Sequence, residues 1–353
     1  MSILTLPYDG NYLYIKASNH RRWKIIAMSL PASLENRLRL PAVAAPMFLA
    51  SGPDLVIETC KAGMVGSFPA LNQRTSDGFE EWLNTINGAL NEFNEHSDTP
   101  AAPFAVNLIV HKSNPRLQAD LALCVKHQVP IVITSLGAVK EVIDAIHSYG
   151  GVVFHDVINA RHARKAADAG VDGLIAVCAG AGGHAGTTNP FALVAEIREF
   201  FDKTLLLAGA ISKGNDIAAA QLMGADLAYM GTRFLNTKES LVQPEYKQMI
   251  LDCKSSDIFY TPNISGVFAN FLKPSIVNAG LDPHKLEAVT EIDFGDELTV
   301  DADTPDGEKT GGAWKAIWSA GQGVGAIHNI PSAKDLVQSL VNEYQEATAR
   351  FRN

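Results

Sequence analysis

One histidine lies inside a run of glycines, and this run contains the residue types most suited to catalysis or ligand binding. Residues 179–190 read AGAGGHAGTTNP, so Gly182 and Gly183 directly precede His184. Glycines at this density allow the backbone to approach another group closely. An imidazole with an ordinary pKa of about 6.5 can transfer a proton or bind an anion near neutral pH. We therefore interpret His184 as a catalytic candidate rather than a loop histidine satisfied by backbone groups.

Two further glycine-bearing segments follow downstream. AGAISKG contains Gly209, and MGTRF contains Gly231 and Thr232. Backbone N–H groups in short loops of this kind often bind phosphate, particularly after the seventh and eighth strands of a barrel. Each glycine alone is equally consistent with a plain turn. Together with the loop at 179–186, they predict a phosphorylated ligand.

Eight short apolar runs precede these candidate residues and would position them. Runs of Val, Ile, Leu and Ala without alternation are typical of parallel strands that are buried on both faces. Helical segments at 54–63, 160–170 and 214–225 each end in glycine or Gly-Ala, a common helix stop. This alternation of eight apolar runs with helical segments predicts a (β/α)8 TIM barrel, with an open doubly wound sheet as the alternative. The runs are 41–48, 64–70, 103–110, 131–137, 151–157, 173–180, 204–211 and 227–234.

The alternation of apolar runs and helical segments ends after the eighth run. We expect residues 28–240 and 311–353 to form the barrel with its closing helices, and residues 241–310 to form a helical insertion over the active-site face. Residues 1–27 are interpreted as an N-terminal extension. Whether 265–280 forms a lid is left open.

Composition and charge exclude several classes of protein. The chain has 353 residues, a net charge of −9 and 47% hydrophobic residues, which argues for a large core and against nucleic-acid binding. The 4 cysteines include no CxxC pair, so a disulfide framework or a structural zinc site is not expected, and a reduced, cytoplasmic setting fits best. No apolar run is long enough to span a membrane. The oligomeric state is left open, with a homodimer among the options.

Other catalytic chemistries fit the sequence less well. Cys178 is a competing nucleophile, but buried barrel cysteines usually serve packing alone. His155 and Asp156 could bind a metal together with His184, yet the first strand ends in Ala-Pro-Met without the HxH of barrel metallohydrolases, so no metal is predicted. GxSxG, GxxxxGK[ST] and GxGxxG motifs are absent from the sequence.

The motifs taken in order resemble one family. AAPM after the first strand, NL after the third, AGGHAG, AGAIS, MGTRF and AGQGVG recur in this order in the nitronate monooxygenases, formerly called 2-nitropropane dioxygenases. The resemblance covers roughly residues 30–345. Many members carry glutamate at the position of Gly180, and this difference indicates another subgroup and leaves the substrate open.

The resemblance implies FMN at the mouth of the barrel. His184 matches the catalytic histidine of the family and would face the substrate. Pro46 and Met47 would contact the isoalloxazine ring, and Asn107 would lie at its polar edge. The residues that would hold the phosphate are Gly182, Gly183, Gly209, Gly231 and Thr232, with Gln322 a weaker match in the closing segment.

The family reaction is the oxidation of an alkyl nitronate by O2 to a carbonyl compound and nitrite. The small-molecule nitronate and O2 would then be the partners of this chain. Flavin-dependent enoyl-ACP reductases and some NADH:quinone reductases share the GGH loop, so an NAD(P)H-dependent flavin reductase is the alternative. A flavin-free isomerase or aldolase is a third reading, although no lysine for a Schiff base falls within the eight strand runs.

Overall fold

A computed structural model describes residues 29–137, 139–288 and 317–350. The expected N-terminal extension, residues 1–27, lies outside the described residues, as do residues 289–310 of the expected insertion. The division into barrel and insertion therefore remains a prediction. What the structure does describe is the complete set of strands that the eight apolar runs predict.

Eight parallel strands form one sheet. They are β1 (Ala42–Ala44), β2 (Ser67–Pro69), β3 (Ala105–Ile109), β4 (Ile131–Ser135), β5 (Val152–Val157), β6 (Gly173–Val177), β8 (Thr204–Ala208) and β9 (Leu227–Met230). Their order in the sheet is β1-β9-β8-β6-β5-β4-β3-β2. A parallel bridge between Val43 and Val65 brings β1 beside the chain that leads into β2, so the sheet closes on itself. This arrangement confirms the TIM barrel. The two-residue strand β7 (Gly183–His184) is not part of this sheet.

Successive side chains along each strand point to opposite faces, and both faces are apolar. Ile133, Phe154 and Leu206 fill the barrel interior. Their neighbours Val132 and Val153 pack outward against the helices. Since neither face meets water, the strands carry no polar alternation, which is why the apolar runs look continuous in the sequence.

Helices follow the strands and cover the outer face. Gly170 and Gly224 end two of them in the left-handed region, with φ of 97° and 109°, as glycine does most easily. The helices are α1 (Pro53–Lys61), α2 (Ser76–His96), α3 (Leu117–Lys126), α4 (Lys140–His147), α5 (Ala160–Ala169), α6 (Pro190–Arg198) and α7 (Gly214–Met223).

The chain after the barrel differs in part from the expected helical insertion. It forms helices α8 (Thr232–Leu235), α9 (Pro244–Asp252) and α10 (Lys273–Asn278), but also the antiparallel strands β10 (Ile258–Thr261) and β11 (Ala269–Leu272). Strand β11 also pairs with β7. The expected insertion is thus helical only in part, because residues 269–272 form β11, where pairing with β10 and β7 outweighs local preference.

The C-terminal helix α11 (Ala333–Ala349) packs against α7 and α1 and completes the outer layer. No helix in the described part of the chain is long and apolar enough to cross a membrane.

Candidate active site

A cavity of about 880 Å³ opens at the carboxyl ends of the barrel strands, a size typical of pockets that hold a small-molecule ligand. All but one of the residues proposed for the site line it. Gln322 is the exception, although its neighbours Gly321 and Gly323 face the cavity. The lining residues predicted from sequence are Pro46, Met47, Asn107, Gly182, Gly183, His184, Gly209, Gly231 and Thr232.

The glycine-rich loop after β6 lies backbone to backbone against the C-terminal segment. A Cβ at Gly182 would lie 2.8 Å from the backbone nitrogen of Gly321. Gly183 and Gly180 have φ of 68° and 87°, where residues with side chains are strained. The loop therefore needs glycine for close approach at 182 and for backbone conformation at 180 and 183.

Residues far away in sequence hold this loop in place. The Gly183 N–H donates to the Ser319 hydroxyl over 2.6 Å. The Asn270 amide donates to the Ala181 carbonyl over 2.7 Å, and the Gly321 N–H donates to the Thr232 hydroxyl over 2.8 Å. The position of His184 thus depends on the hairpin β10–β11 and on the closing segment as well as on the barrel.

Gln322 joins the loop through its backbone. Its N–H donates to the Gly180 carbonyl over 2.8 Å, and the same carbonyl accepts from the Ala210 N–H over 3.3 Å. A Cβ at Gly180 would lie 3.1 Å from the Gln322 side-chain oxygen. Position 180 is therefore bordered by the Gln322 side chain.

The three loops expected to bind phosphate meet on one side of the cavity. Gly209 has φ of 140°, and a Cβ there would lie 2.9 Å from the Ala179 carbonyl. Gly231 directly precedes α8, whose first residue is Thr232. Backbone from all three loops borders the cavity with almost no side chains between, and this arrangement suits a phosphate group.

His184 lies in β7 opposite Ala269 of β11. Burial lowers the pKa of the His184 imidazole to about 4, because a charged ring is poorly solvated there. The ring is therefore neutral at pH 7 and offers one N–H donor and one acceptor nitrogen. The sequence prediction of an ordinary pKa does not hold, because it could not include burial.

Two carboxyl-end residues that sequence analysis considered for a metal do not act together. His155 and Asp156 are adjacent in β5, so their side chains point to opposite faces of the sheet. The His155 Nδ1 atom lies 2.7 Å from the Thr134 hydroxyl, and burial lowers its pKa to about 4. Within the described residues no group of three potential ligands could hold a metal ion.

Asp156 points into the barrel and lines the cavity, and its role was not predicted from the sequence. Burial raises the pKa of the Asp156 carboxyl to about 6, and a hydrogen bond from Ser135 lowers it only in part. Tyr229 lines the cavity too, and burial together with the charge of Asp156 raises its pKa well above the usual value. A strand-end Asp within an apolar run is the only signal the sequence offers.

Cys178 does not fit the role of a nucleophile. Burial raises the pKa of its thiol to about 12, so the thiolate is rare at neutral pH. All four cysteines are buried and free.

Aromatic side chains from the segment after the barrel form one wall of the cavity. Tyr246 of α9 stacks on Trp318, with ring centroids 4.9 Å apart and planes within 9°. Tyr260 of β10 stacks on Phe268 at 5.1 Å. Sequence analysis missed these residues because their partners are distant along the chain.

Replacing Asp156 with asparagine is expected to stabilise the ligand-free protein more at pH 7.5 than at pH 4.5. The folded carboxyl has a pKa of about 6 against an ordinary 3.8, so its ionisation opposes folding increasingly as pH rises between these values. The full effect is at most about 3 kcal/mol, less the loss at the Ser135 hydrogen bond. Thermal unfolding at both pH values measures it.

Asp144→Asn serves as the matched control, because Asp144 lies on the exposed face of α4 and pairs with Lys140. Its effect on the unfolding temperature should not grow in the same direction between the two pH values. An equal shift for Asp156→Asn at pH 4.5 and pH 7.5 would contradict the raised pKa.

Known proteins resemble this chain in sequence and in fold. A family model described as nitronate monooxygenase matches residues 35–343. A nitronate monooxygenase from Paraburkholderia phytofirmans is 25% identical over 357 residues, covering 88% of this chain and 94% of that protein.

A second relative and a solved structure also resemble this chain. A Rhodococcus jostii protein named (3aS,4S,5R,7aS)-5-hydroxy-7a-methyl-1-oxo-octahydro-1H-indene-4-carboxyl-CoA dehydrogenase is 25% identical over 335 residues, covering 85% of this chain and 91% of that protein. The solved structure of nitroalkane oxidase from Streptomyces ansochromogenes matches with a TM-score of 0.74 at 24% identity, covering 91% of this chain and 100% of that one. At that identity the structure supports the fold alone.

Proposed function

Because the chain belongs to the nitronate monooxygenase family of flavin-dependent oxidoreductases, we propose that it binds FMN and oxidises alkyl nitronates with O2 to a carbonyl compound and nitrite. The observation that carries the proposal is the position of His184, which shares one cavity with the glycine loops and with Asn107. Small nitronates are the substrates that we expect.

The residues present fit a flavin. Gly182, Gly209 and Gly231 would surround the phosphate with backbone, where side chains would otherwise intrude. Met47, which follows β1, and Asn107 of β3 would contact the ring system. When bound, FMN supplies the electron acceptor for the substrate and the centre at which O2 reacts.

His184 orients the substrate and handles its proton. Toward a nitronate, the neutral imidazole donates its N–H to a nitronate oxygen. Toward a neutral nitroalkane, its acceptor nitrogen takes the proton from the α-carbon. The apolar wall around it, including Trp318 and Tyr260, keeps the local dielectric low and thereby strengthens a hydrogen bond to an anion.

The proposal is tested by mixing the FMN-loaded protein anaerobically with propionate-3-nitronate and, separately, with NADH. The absorbance of oxidised flavin should change rapidly with the nitronate and remain steady with NADH. In air, the nitronate reaction should release nitrite. No response to any of several nitronates would refute the proposed activity.

A second candidate function is the reduction or oxidation of a larger acyl thioester. Four exposed apolar side chains rim the same cavity: Leu136, Ile158, Leu241 and Phe268, at 41%, 39%, 55% and 53% exposure. Exposed apolar clusters of this kind often mark binding sites for apolar ligands. The carboxyl-CoA substrate in the name of the Rhodococcus jostii relative is of that class. Fast loss of flavin absorbance with NADH and none with nitronate would favour this candidate.

A further inference from the structure

Asn107, Ser135 and Asp156 form a hydrogen-bonded chain across three neighbouring strands. Asn107 Nδ2 donates to Ser135 Oγ over 2.9 Å, and Ser135 Oγ donates to Asp156 Oδ2 over 2.5 Å. All three side chains point into the barrel, in line with the interior residues Ile133 and Phe154 of the same strands. All three also line the cavity.

The chain determines which atom of the Asn107 amide faces a ligand. Asn107 Nδ2 also donates to the Ile133 carbonyl over 3.1 Å, and a carbonyl can only accept. Both amide hydrogens of Asn107 are thus used inside the barrel wall. The amide consequently presents its oxygen, Oδ1, to the cavity.

Asp156 sets the direction of this chain. An ionised carboxylate only accepts, so it takes the Ser135 hydroxyl proton and leaves the Ser135 lone pairs to accept from Asn107. A protonated carboxyl no longer requires that direction. Asp156 Oδ1 is buried and has no hydrogen-bond partner among the residues that the structure describes, so Ser135 is the contact through which the carboxyl acts.

We propose that Asp156 is a positioning residue that acts through Ser135 to hold the Asn107 carbonyl oxygen toward the cavity, and so selects a ligand with a hydrogen-bond donor there. The N3–H group of an isoalloxazine ring is a donor of this kind. The inference rests on the proposed flavin site, but it is independent of whether nitronate is the substrate.

The proposal predicts that ligand binding depends on pH. The Asp156 carboxyl has a pKa of about 6, so the hydrogen-bonded chain is complete above that pH and loosens below it. The pKa values of His155 and His184 are both lowered to about 4, and that of Tyr229 is raised well above its usual value, so these three keep their charge between pH 5 and 7. The titratable and charged groups lining this side of the cavity are Tyr229, His155, His184, His162 and Lys165.

The test is FMN binding to ligand-free protein, followed by flavin fluorescence between pH 5 and 8. Ser135→Ala should weaken binding about tenfold at pH 8, the effect of one well-formed hydrogen bond. Asp156→Asn should weaken it several-fold and reduce the loss of affinity that the wild type shows as pH falls through about 6; the loss that remains comes from the FMN phosphate, whose second ionisation also falls near pH 6. The double variant should bind no more weakly than Ser135→Ala alone, because Asp156 acts through Ser135.

Thr134→Val is the matched control. Thr134 and His155 form the neighbouring polar pair on the outer face of the same two strands. Its loss should leave the FMN dissociation constant unchanged. Ser135→Cys replaces Ser135→Ala if the alanine variant does not fold.

Different failures have different meanings. Equal FMN affinity and pH profile in wild type and Ser135→Ala would overturn the inference alone. Additive effects in the double variant would also overturn it, because the two residues would then act separately. A wild-type protein that binds no flavin would overturn the inference and the proposed function together.

Discussion

Replacing His184 with asparagine is expected to leave FMN bound and to lower turnover about 10²–10⁴-fold, the usual contribution of a positioned proton-transfer group. Asparagine retains an N–H donor of similar reach but has no nitrogen that accepts a proton near neutral pH. The loop should keep its shape, because β7 pairs with β11 through the backbone. Steady-state oxidation of a neutral nitroalkane, whose α-proton His184 would take, and the flavin content of the purified variant measure the two effects.

His147→Asn is the control for the same substitution outside the cavity. His147 ends α4, and its Nε2 atom lies 2.7 Å from Asp172 Oδ2. Its turnover should match the wild type. Full activity in His184→Asn with normal flavin content would refute the assigned role, and loss of flavin would show that His184 supports the cofactor instead.

Replacing Gly182 with alanine is expected to abolish FMN binding at micromolar concentration. The new Cβ would lie 2.8 Å from the Gly321 nitrogen and 3.1 Å from the Thr232 hydroxyl oxygen. Backbone cannot move aside as a flexible side chain can, so the loop and the closing segment must separate. We expect a cost of about 1–3 kcal/mol in unfolding free energy, typical of overpacking. Flavin titration and thermal unfolding measure these effects.

Gly88→Ala provides the matched control. Gly88 lies inside α2, and a Cβ there meets nothing within 4 Å. Alanine should stabilise this helix by up to about 1 kcal/mol and leave flavin binding unchanged. If Gly182→Ala bound FMN as well as Gly88→Ala does, close packing at 182 would not be required for the site.

The two substitutions test different properties of the site: the chemistry of one side chain and the packing of two backbone segments. His184→Asn changes the group that is proposed to face the substrate, while Gly182→Ala changes the distance between two backbone segments. A reductase acting on an acyl thioester would need the same loop but another electron donor. The nitronate and NADH mixing experiment therefore identifies the reaction, whereas the glycine variant tests only the binding site.

The sequence predicted the barrel well because the relevant signals are local. Each strand is a short apolar run, and helix ends such as Gly170 and Gly224 are marked by residues that tolerate a positive φ. It predicted less well after the barrel, where β11 depends on pairing with β7 and β10 rather than on its own residues. Pairing between distant segments leaves little trace in a single sequence.

The candidate site divides in the same way. Strand ends and glycine loops are visible in sequence, so residues such as Met47, Asn107 and His184 could be named, and all three line the cavity. Asp156 and Ser135 were also visible at strand ends, but nothing local indicated that they join Asn107 in one chain. Tyr246 and Trp318 gave no signal at all.

By itself, then, the sequence determined the eight-strand barrel, the place of the glycine loops and the identity of the histidine, because these depend on composition and order along the chain. The tertiary structure alone decided that His184 is neutral, that Ser319 and Asn270 hold its loop, and that the Asn107 amide donates to Ile133 and Ser135. Ser319 lies 136 residues from its partner Gly183, and Asn270 lies 89 from Ala181. Burial and hydrogen-bond direction arise only when such distant segments meet, and they set the chemistry of this cavity.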